Sequence, residues 1–85
     1  MASWKLVIDE AAFQFFVSTR AGERRNLLSA FEQLRADPQR PADYNTKDAT
    51  GRVLSLWGHR PFLITYWLDA FVSQIRIVDI QRVRV

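Results

Sequence analysis

The chain contains no cysteine, one histidine and only three glycines in 85 residues. The first absence excludes disulfides, zinc–thiolate sites and thiol catalysis. There is no Gly-rich phosphate loop, no clustered set of metal ligands and no Ser/His/Asp spacing, so neither a cofactor nor a metal is expected. No apolar run reaches the roughly 18 residues of a membrane span, and the N-terminus lacks a basic-then-apolar signal segment. The expectation is a cytoplasmic protein with no membrane partner. A chain this short buries only about 60% of its unfolded surface and has no room for a deep pocket. Without covalent staples it depends on a well-packed core or an oligomer partner.

What is present is a globular composition, 48% hydrophobic and 25% charged, read as one domain over 1–85. Aromatic residues make up 13%, with three Trp and six Phe, enough that some rings are expected at an interface rather than in the core. The net charge is +3, and it is unevenly placed. Residues 1–43 hold six basic and six acidic side chains; residues 44–85 hold Lys47, Arg52, Arg60, Arg76, Arg82 and Arg84 against Asp48, Asp69 and Asp79. The excess lies on the C-terminal half, where it either attracts a polyanion or acidic segment or simply aids solubility.

Trp4-Lys5-Leu6-Val7-Ile8 is rich in strand formers and reads as a first strand. Asp9 is placed to cap a helix running to about Arg20 and ending near Gly22, with Phe13, Phe16, Val17 and Arg20 on one stripe and Phe15 beside it. A second helix from near Glu23 to about Ala36 carries Leu27, Leu28, Phe31 and Leu34 at helical spacing, and Asp37-Pro38 stops it. The two helices form a hairpin. Residues 37–50, with two prolines and Tyr44, read as the longest loop.

Three short apolar runs follow at 53–57, 62–68 and 74–80. They are separated by a Gly58-His59-Arg60-Pro61 corner and an Asp69-Ala70 corner, connections short enough to require an antiparallel meander. The order is β-α-α-β-β-β, an α+β fold with the helical hairpin packed on one face of the sheet. Phe62, Ile64, Tyr66 and Leu68 are assigned to the core face, and Leu63, Thr65 and Trp67 to the free face. In the last run Ile75 and Ile77 oppose Arg76, Val78 and Ile80, and alternation alone does not choose between the two sets.

Several residues carry both a chemical and a plain reading. His59, beside Arg60 in a turn, is a candidate general acid or base, or an ordinary polar turn residue. Arg60 and Arg82 are candidate phosphate clamps, or solubilising charges. Tyr44 either stacks on a base or pins the loop to the core edge. At least one of Trp4, Trp57 and Trp67 is expected in the core and at least one on the free face. Asp79, inside an apolar strand, is expected to pair with Arg60 or Arg82 or to face solvent. Arg24-Arg25 reads as a solvated helix face.

This order, with Asp48-Ala49-Thr50-Gly51-Arg52, Ile64-Thr65-Tyr66-Trp67-Leu68-Asp69 and Ile75-Arg76-Ile77-Val78-Asp79-Ile80-Gln81-Arg82, resembles the RelE/ParE toxin superfamily of bacterial type II toxin–antitoxin modules. The resemblance covers nearly the whole chain. It implies a toxin neutralised by a cognate antitoxin, as a homodimer or an antitoxin-bound hetero-oligomer. One branch of the superfamily cleaves mRNA in the ribosome, without metal; another poisons DNA gyrase. By the resemblance, the leading expectation is translation inhibition by ribosome-associated mRNA cleavage. Arg82 matches the arginine such endoribonucleases place beside the scissile phosphate, Arg60 and His59 join it as catalytic candidates, and Lys47, Arg52 and Arg76 hold RNA phosphates. Leu63 stands where many relatives carry arginine, and no tyrosine follows Arg82. Those two departures point toward the alternative, a gyrase-directed binding toxin or an inactive relative that only binds its antitoxin.

Overall fold

Apolar residues at i, i+3, i+4 and i+7 bury one arc of a helix, and apolar residues at alternate positions bury one face of a strand. Both periods are realised in the computed structural model, which describes residues 3–83. The described residues form β1 (Lys5–Ile8), α1 (Glu10–Ser18), α2 (Ala21–Ala36), β2 (Tyr44–Lys47), β3 (Val53–His59), β4 (Phe62–Asp69) and β5 (Gln74–Arg82). The sheet order is β1-β5-β4-β3-β2. No helix among the described residues is long and apolar enough to cross a membrane.

The expected antiparallel meander is present as β3, β4 and β5, but it is not the whole sheet. β1 lies beside β5 and runs parallel to it, Leu6 opposite Ile75 and Ile8 opposite Ile77, so the intervening chain acts as a crossover. At the other edge, part of the expected 37–50 loop is a strand: β2 pairs antiparallel with β3, from Tyr44 opposite Leu56 to Lys47 opposite Val53. All four β2 residues are exposed, so the strand rests on its backbone ladder and carries no hydrophobic signature. Its turn into β3 is organised by the Asp48 carboxylate, which accepts from the Thr50 hydroxyl at 2.6 Å, the Thr50 N–H at 2.9 Å and the Arg52 N–H at 3.0 Å. Gly51 supplies the positive φ of 86° that this turn requires.

Both helices bury the same arc. In α1 it is Ala12, Phe15, Phe16 and, just past the helix end, Thr19; in α2 it is Leu27, Ala30, Phe31 and Leu34. Phe13, Val17 and Leu28, expected on the inward stripes, are about half exposed: α1 packs on β5 through its Ala12 side, and α2 turns Ala30 inward in place of Leu28. The hinge between the helices is Thr19-Arg20, and Gly22 lies inside α2 rather than ending α1. The Glu23 carboxylate accepts the Arg20 N–H at 3.2 Å, one half of a capping box; arginine has no acceptor to complete the other half. Asp9 stands at the N-cap position of α1 but makes no side-chain cap bond. Its carboxylate faces Arg76 at 3.4 Å instead.

The core joins those arcs to Trp57, Phe62, Ile64, Tyr66, Ile75, Ile77 and Ile80. The Phe15 and Phe62 rings meet edge to face, 5.9 Å between centroids. β4 alternates as expected: Phe62, Ile64 and Tyr66 are buried, Leu68 packs against the core, and Leu63, Thr65 and Trp67 take the open face. In β5 the alternation breaks. Tyr66 pairs with Ile77 and Thr65 with Asp79, leaving Val78 as the extra residue of a β-bulge. The bulge lets Ile75, Ile77 and Ile80 all enter the core, which strict alternation forbids. It follows that Ile80→Ala should cost about 2–4 kcal/mol, and Val78→Ala less than about 1 kcal/mol, in urea unfolding. The reverse order would mean that β5 pairs without the bulge.

Candidate functional site on the two faces of the sheet

The bulge also divides the arginines. Before it, Arg76 faces the open side with its register partner Trp67; after it, Asp79 and Gln81 face that side, while Arg82 pairs with Phe62 and turns toward the helices. Arg82, a candidate phosphate clamp, and Leu63, the position noted for lacking an arginine, are therefore on opposite faces. Opposite Leu63 stands Gln81, whose amide donates to Asp79 at 2.9 Å. Asp79 thus takes neither Arg60 nor Arg82 as partner.

On the open face the cations gather around one indole. The Arg52 guanidinium lies 3.9 Å from the centre of the Trp67 ring and that of Arg76 5.9 Å from it. Each also faces a carboxylate: Arg52 stands 3.8 Å from Asp48, and Arg76 stands 3.4 Å from Asp9. The Thr50 hydroxyl first, with the Arg52 and Thr50 N–H groups, holds the Asp48 carboxyl below the usual range. Lys47 is exposed on the edge strand β2. At the β3–β4 end of this face is a hollow of about 560 Å³ walled by Tyr44, Pro61, Leu63 and Val83, with Gly58 and Arg60 contributing. Gly58 pairs with Leu63 and leaves the floor without a side chain. The Asp43 carboxylate accepts the Gly58 N–H at 2.6 Å, fixing the loop before β2 to this floor. Tyr44 is 68% exposed, so it borders the hollow rather than pinning the loop to the core edge.

On the helix face, His59, Phe62 and Arg82 form a row across β3, β4 and β5. The Arg82 guanidinium grips Glu23 with both arms, Nε to Oε2 at 3.1 Å and Nη2 to Oε2 at 2.8 Å, and lies 5.4 Å from the Phe15 ring centre. His59 Nδ1 meets Asn26 Oδ1 at 2.8 Å, its Nε2 meets Gln33 Nε2 at 3.4 Å, and its ring stands edge-on to Trp57. The two ring nitrogens are thus both occupied by side chains of α2. Asn26 also donates to the Arg60 carbonyl at 3.1 Å. The Arg60 side chain is exposed and has no acidic partner among the described residues.

Sequence reasoning missed the groups that hold this row. Glu23, Asn26 and Gln33 are all on α2, at spacings of three and seven residues, so they form a polar stripe beside its buried arc. That stripe was the available signal. The Arg20 N–H, and after it the Arg82 guanidinium, keep the Glu23 carboxyl below its ordinary value of 4.5. A depressed carboxyl adds stability above its unfolded pKa and loses it as pH falls through the folded one. Glu23→Gln should therefore lower the urea midpoint at about pH 7, and the difference from the parent should close toward about pH 3. A difference that persists at the acid end would show that the carboxylate charge is not what Arg82 uses.

No family model matches the chain, and no curated protein matches it. Solved structures do. A chain of the archaeal RelE–RelB complex from Pyrococcus horikoshii OT3 matches with TM-score 0.75 at 14% identity, over 95% of this chain and 96% of that one. The isolated E. coli RelE toxin matches with TM-score 0.70 at 11% identity, over 96% and 86%. A chain of the intact E. coli RelBE toxin–antitoxin complex matches with TM-score 0.64 at 13% identity, over 96% and 99%. Identities this low speak to architecture alone, and the architecture is unambiguous: this chain has the RelE fold.

Proposed function

We propose that the chain is the toxin half of a toxin–antitoxin pair, held inactive by a cognate antitoxin in the cytoplasm. The observation that supports this reading is the match, over 95% of this chain and 96% of that one, to a chain of the RelE–RelB complex.

For the mode of action, the arrangement of side chains favours binding over cleavage. RNA cleavage by 2′-hydroxyl attack needs a base, an acid and cations converging on one phosphate. Arg82 is engaged by Glu23, His59 by Asn26 and Gln33, and both turn toward α2. The open face offers Leu63 and Gln81 where a phosphate would need charge. In this reading the toxin acts by covering a macromolecular target such as DNA gyrase. The second reading, ribosome-associated mRNA cleavage, rests on Arg60, which is exposed beside the hollow, with Lys47, Arg52 and Arg76 to hold the backbone.

Induced expression in a bacterial host separates the readings. Growth arrest that survives Arg60→Ala, with full-length messages, is the expected outcome; double-strand breaks would then identify gyrase as the target. Truncated messages that disappear with Arg60→Ala would replace binding by mRNA cleavage. Without arrest by the soluble, folded protein, the toxin assignment fails and an inactive relative is left.

A further inference from the structure

The helices keep apolar surface that the core does not use. Phe13 and Val17 on α1 and Leu28 on α2 are 52%, 50% and 51% exposed, although each lies beside the contact between the two helices. Beneath them the Phe16 and Phe31 rings meet at 6.1 Å between centroids. Phe13 is three residues from Phe16, and Leu28 is three from Phe31, so both stand along the flanks that the helices turn toward each other. The other flank of α2 carries Asn26 and Gln33, which are bonded to His59. At the hinge end Arg24 spans the gap, donating to the carbonyls of Val17 at 3.4 Å and Thr19 at 2.9 Å. Phe13, Val17 and Leu28 therefore line one outer groove between α1 and α2.

The charges at the ends of this groove are ordered. Glu10 lies three residues before Phe13, at the start of α1; Arg25 lies three residues before Leu28 and follows Arg24 at the hinge end. Both are exposed, and neither has a salt bridge among the described residues. The other two acids of the helices are already engaged, Glu32 by Arg35 at 3.0 Å and Glu23 by Arg82 at 2.8 Å. Arg25 sits near the level of Val17, seven residues and about 10 Å along α1 from Glu10. A surface that runs acid, apolar, base is complementary to itself when turned end for end. A two-fold axis then passes through the apolar middle, and each Glu10 meets the other copy's Arg25. Two copies laid in the same direction would oppose acid to acid and base to base.

We infer that this groove is an interface between two copies of the chain, paired antiparallel through Phe13, Val17 and Leu28 and closed at each end by a Glu10–Arg25 contact. Its extent sets its strength. With 9 and 16 residues, α1 and α2 are about 14 and 24 Å long and about 10 Å wide, which gives a contact of about 400 Å² per copy. A stable pair typically buries about 800 Å² per partner, so this dimer is weak and dissociates at about 100 µM. It uses no group of the open face and does not rest on the toxin reading.

The test is sedimentation equilibrium of the full chain from about 10 µM to about 1 mM, with the amide resonances followed over the same series. A monomer–dimer equilibrium is expected, with shifts at Phe13, Val17 and Leu28 and none at Leu63 or Trp67. Leu28→Gln, with its fold checked by a melting curve, should weaken dimerisation about tenfold. Glu10→Arg and Arg25→Glu should each weaken it about tenfold, since every dimer loses two ion pairs. The double variant carrying both reversals should return to within about twofold of the parent, a recovery that mere loss of helix stability does not give. The inference is overturned by a monomer at about 1 mM, by oligomers that grow beyond the dimer, by shifts centred on Leu63 and Trp67, or by a double variant no better than either single one.

Discussion

Both faces of this protein depend on one extra residue in β5. Ile75, Ile77 and Ile80 are each almost fully buried, and no unbroken strand can send positions 75, 77 and 80 to the same side. Val78 absorbs the difference. Without it, Asp79 would enter the core and Ile80 would leave, placing a carboxylate among apolar side chains at a cost of several kcal/mol. The bulge therefore follows from the hydrophobic requirement of the core. The chemistry of the outer surfaces is a consequence: Asp79 and Gln81 go to the open face, and Arg82 goes to the helices.

Once Arg82 faces α2, the two sides of the sheet acquire different work. The helix side uses polar groups as fasteners, Glu23 on Arg82 and Asn26 with Gln33 on His59. Exposed pairs of this kind contribute little singly, so the attachment of α2 rests first on Leu27, Ala30, Phe31 and Leu34. What the polar stripe adds is direction. An imidazole bonded at both nitrogens and a two-armed guanidinium each accept one orientation, which fixes how α2 lies across the β3–β5 end. The open side has no covering element among the described residues, and there the cations Arg52 and Arg76 stack on or near Trp67 while remaining partly accessible.

Much of this was legible in the chain. The two helices, the antiparallel C-terminal meander and the faces of β4, Trp67 outward among them, follow from spacing and composition; that the core tryptophan would be Trp57 did not. The elements that escaped have physical reasons. β2 buries nothing, so Tyr-Asn-Thr-Lys carries no alternation to read. The pairing of β1 with β5 joins residues about seventy positions apart, and neither sequence specifies the other. The inward arcs of the helices shifted because Ala12 and Ala30 sit at the close contacts, and alanine contributes least to an apolar stripe. At the candidate site, residue types were read correctly but their direction was not. Arg76 and Arg82 share a parity in sequence and lose it at Val78.

That loss bears on what a shared fold can carry. The RelE fold needs its hydrophobic arcs and strand order, and this chain has that fold at 11–14% identity to solved structures. A catalytic centre asks for more: several side chains held on one face within about 0.5 Å of a productive geometry. A bulge that serves the core can remove one of those side chains from the face without disturbing the fold. Here the face that loses Arg82 keeps an apolar hollow, a stacked pair of cations and a central carboxylate. Such a surface is poor at concentrating charge on a single phosphate. The same fold is thus kept while the set of groups on its open face changes, and the face has to be read from its own residues.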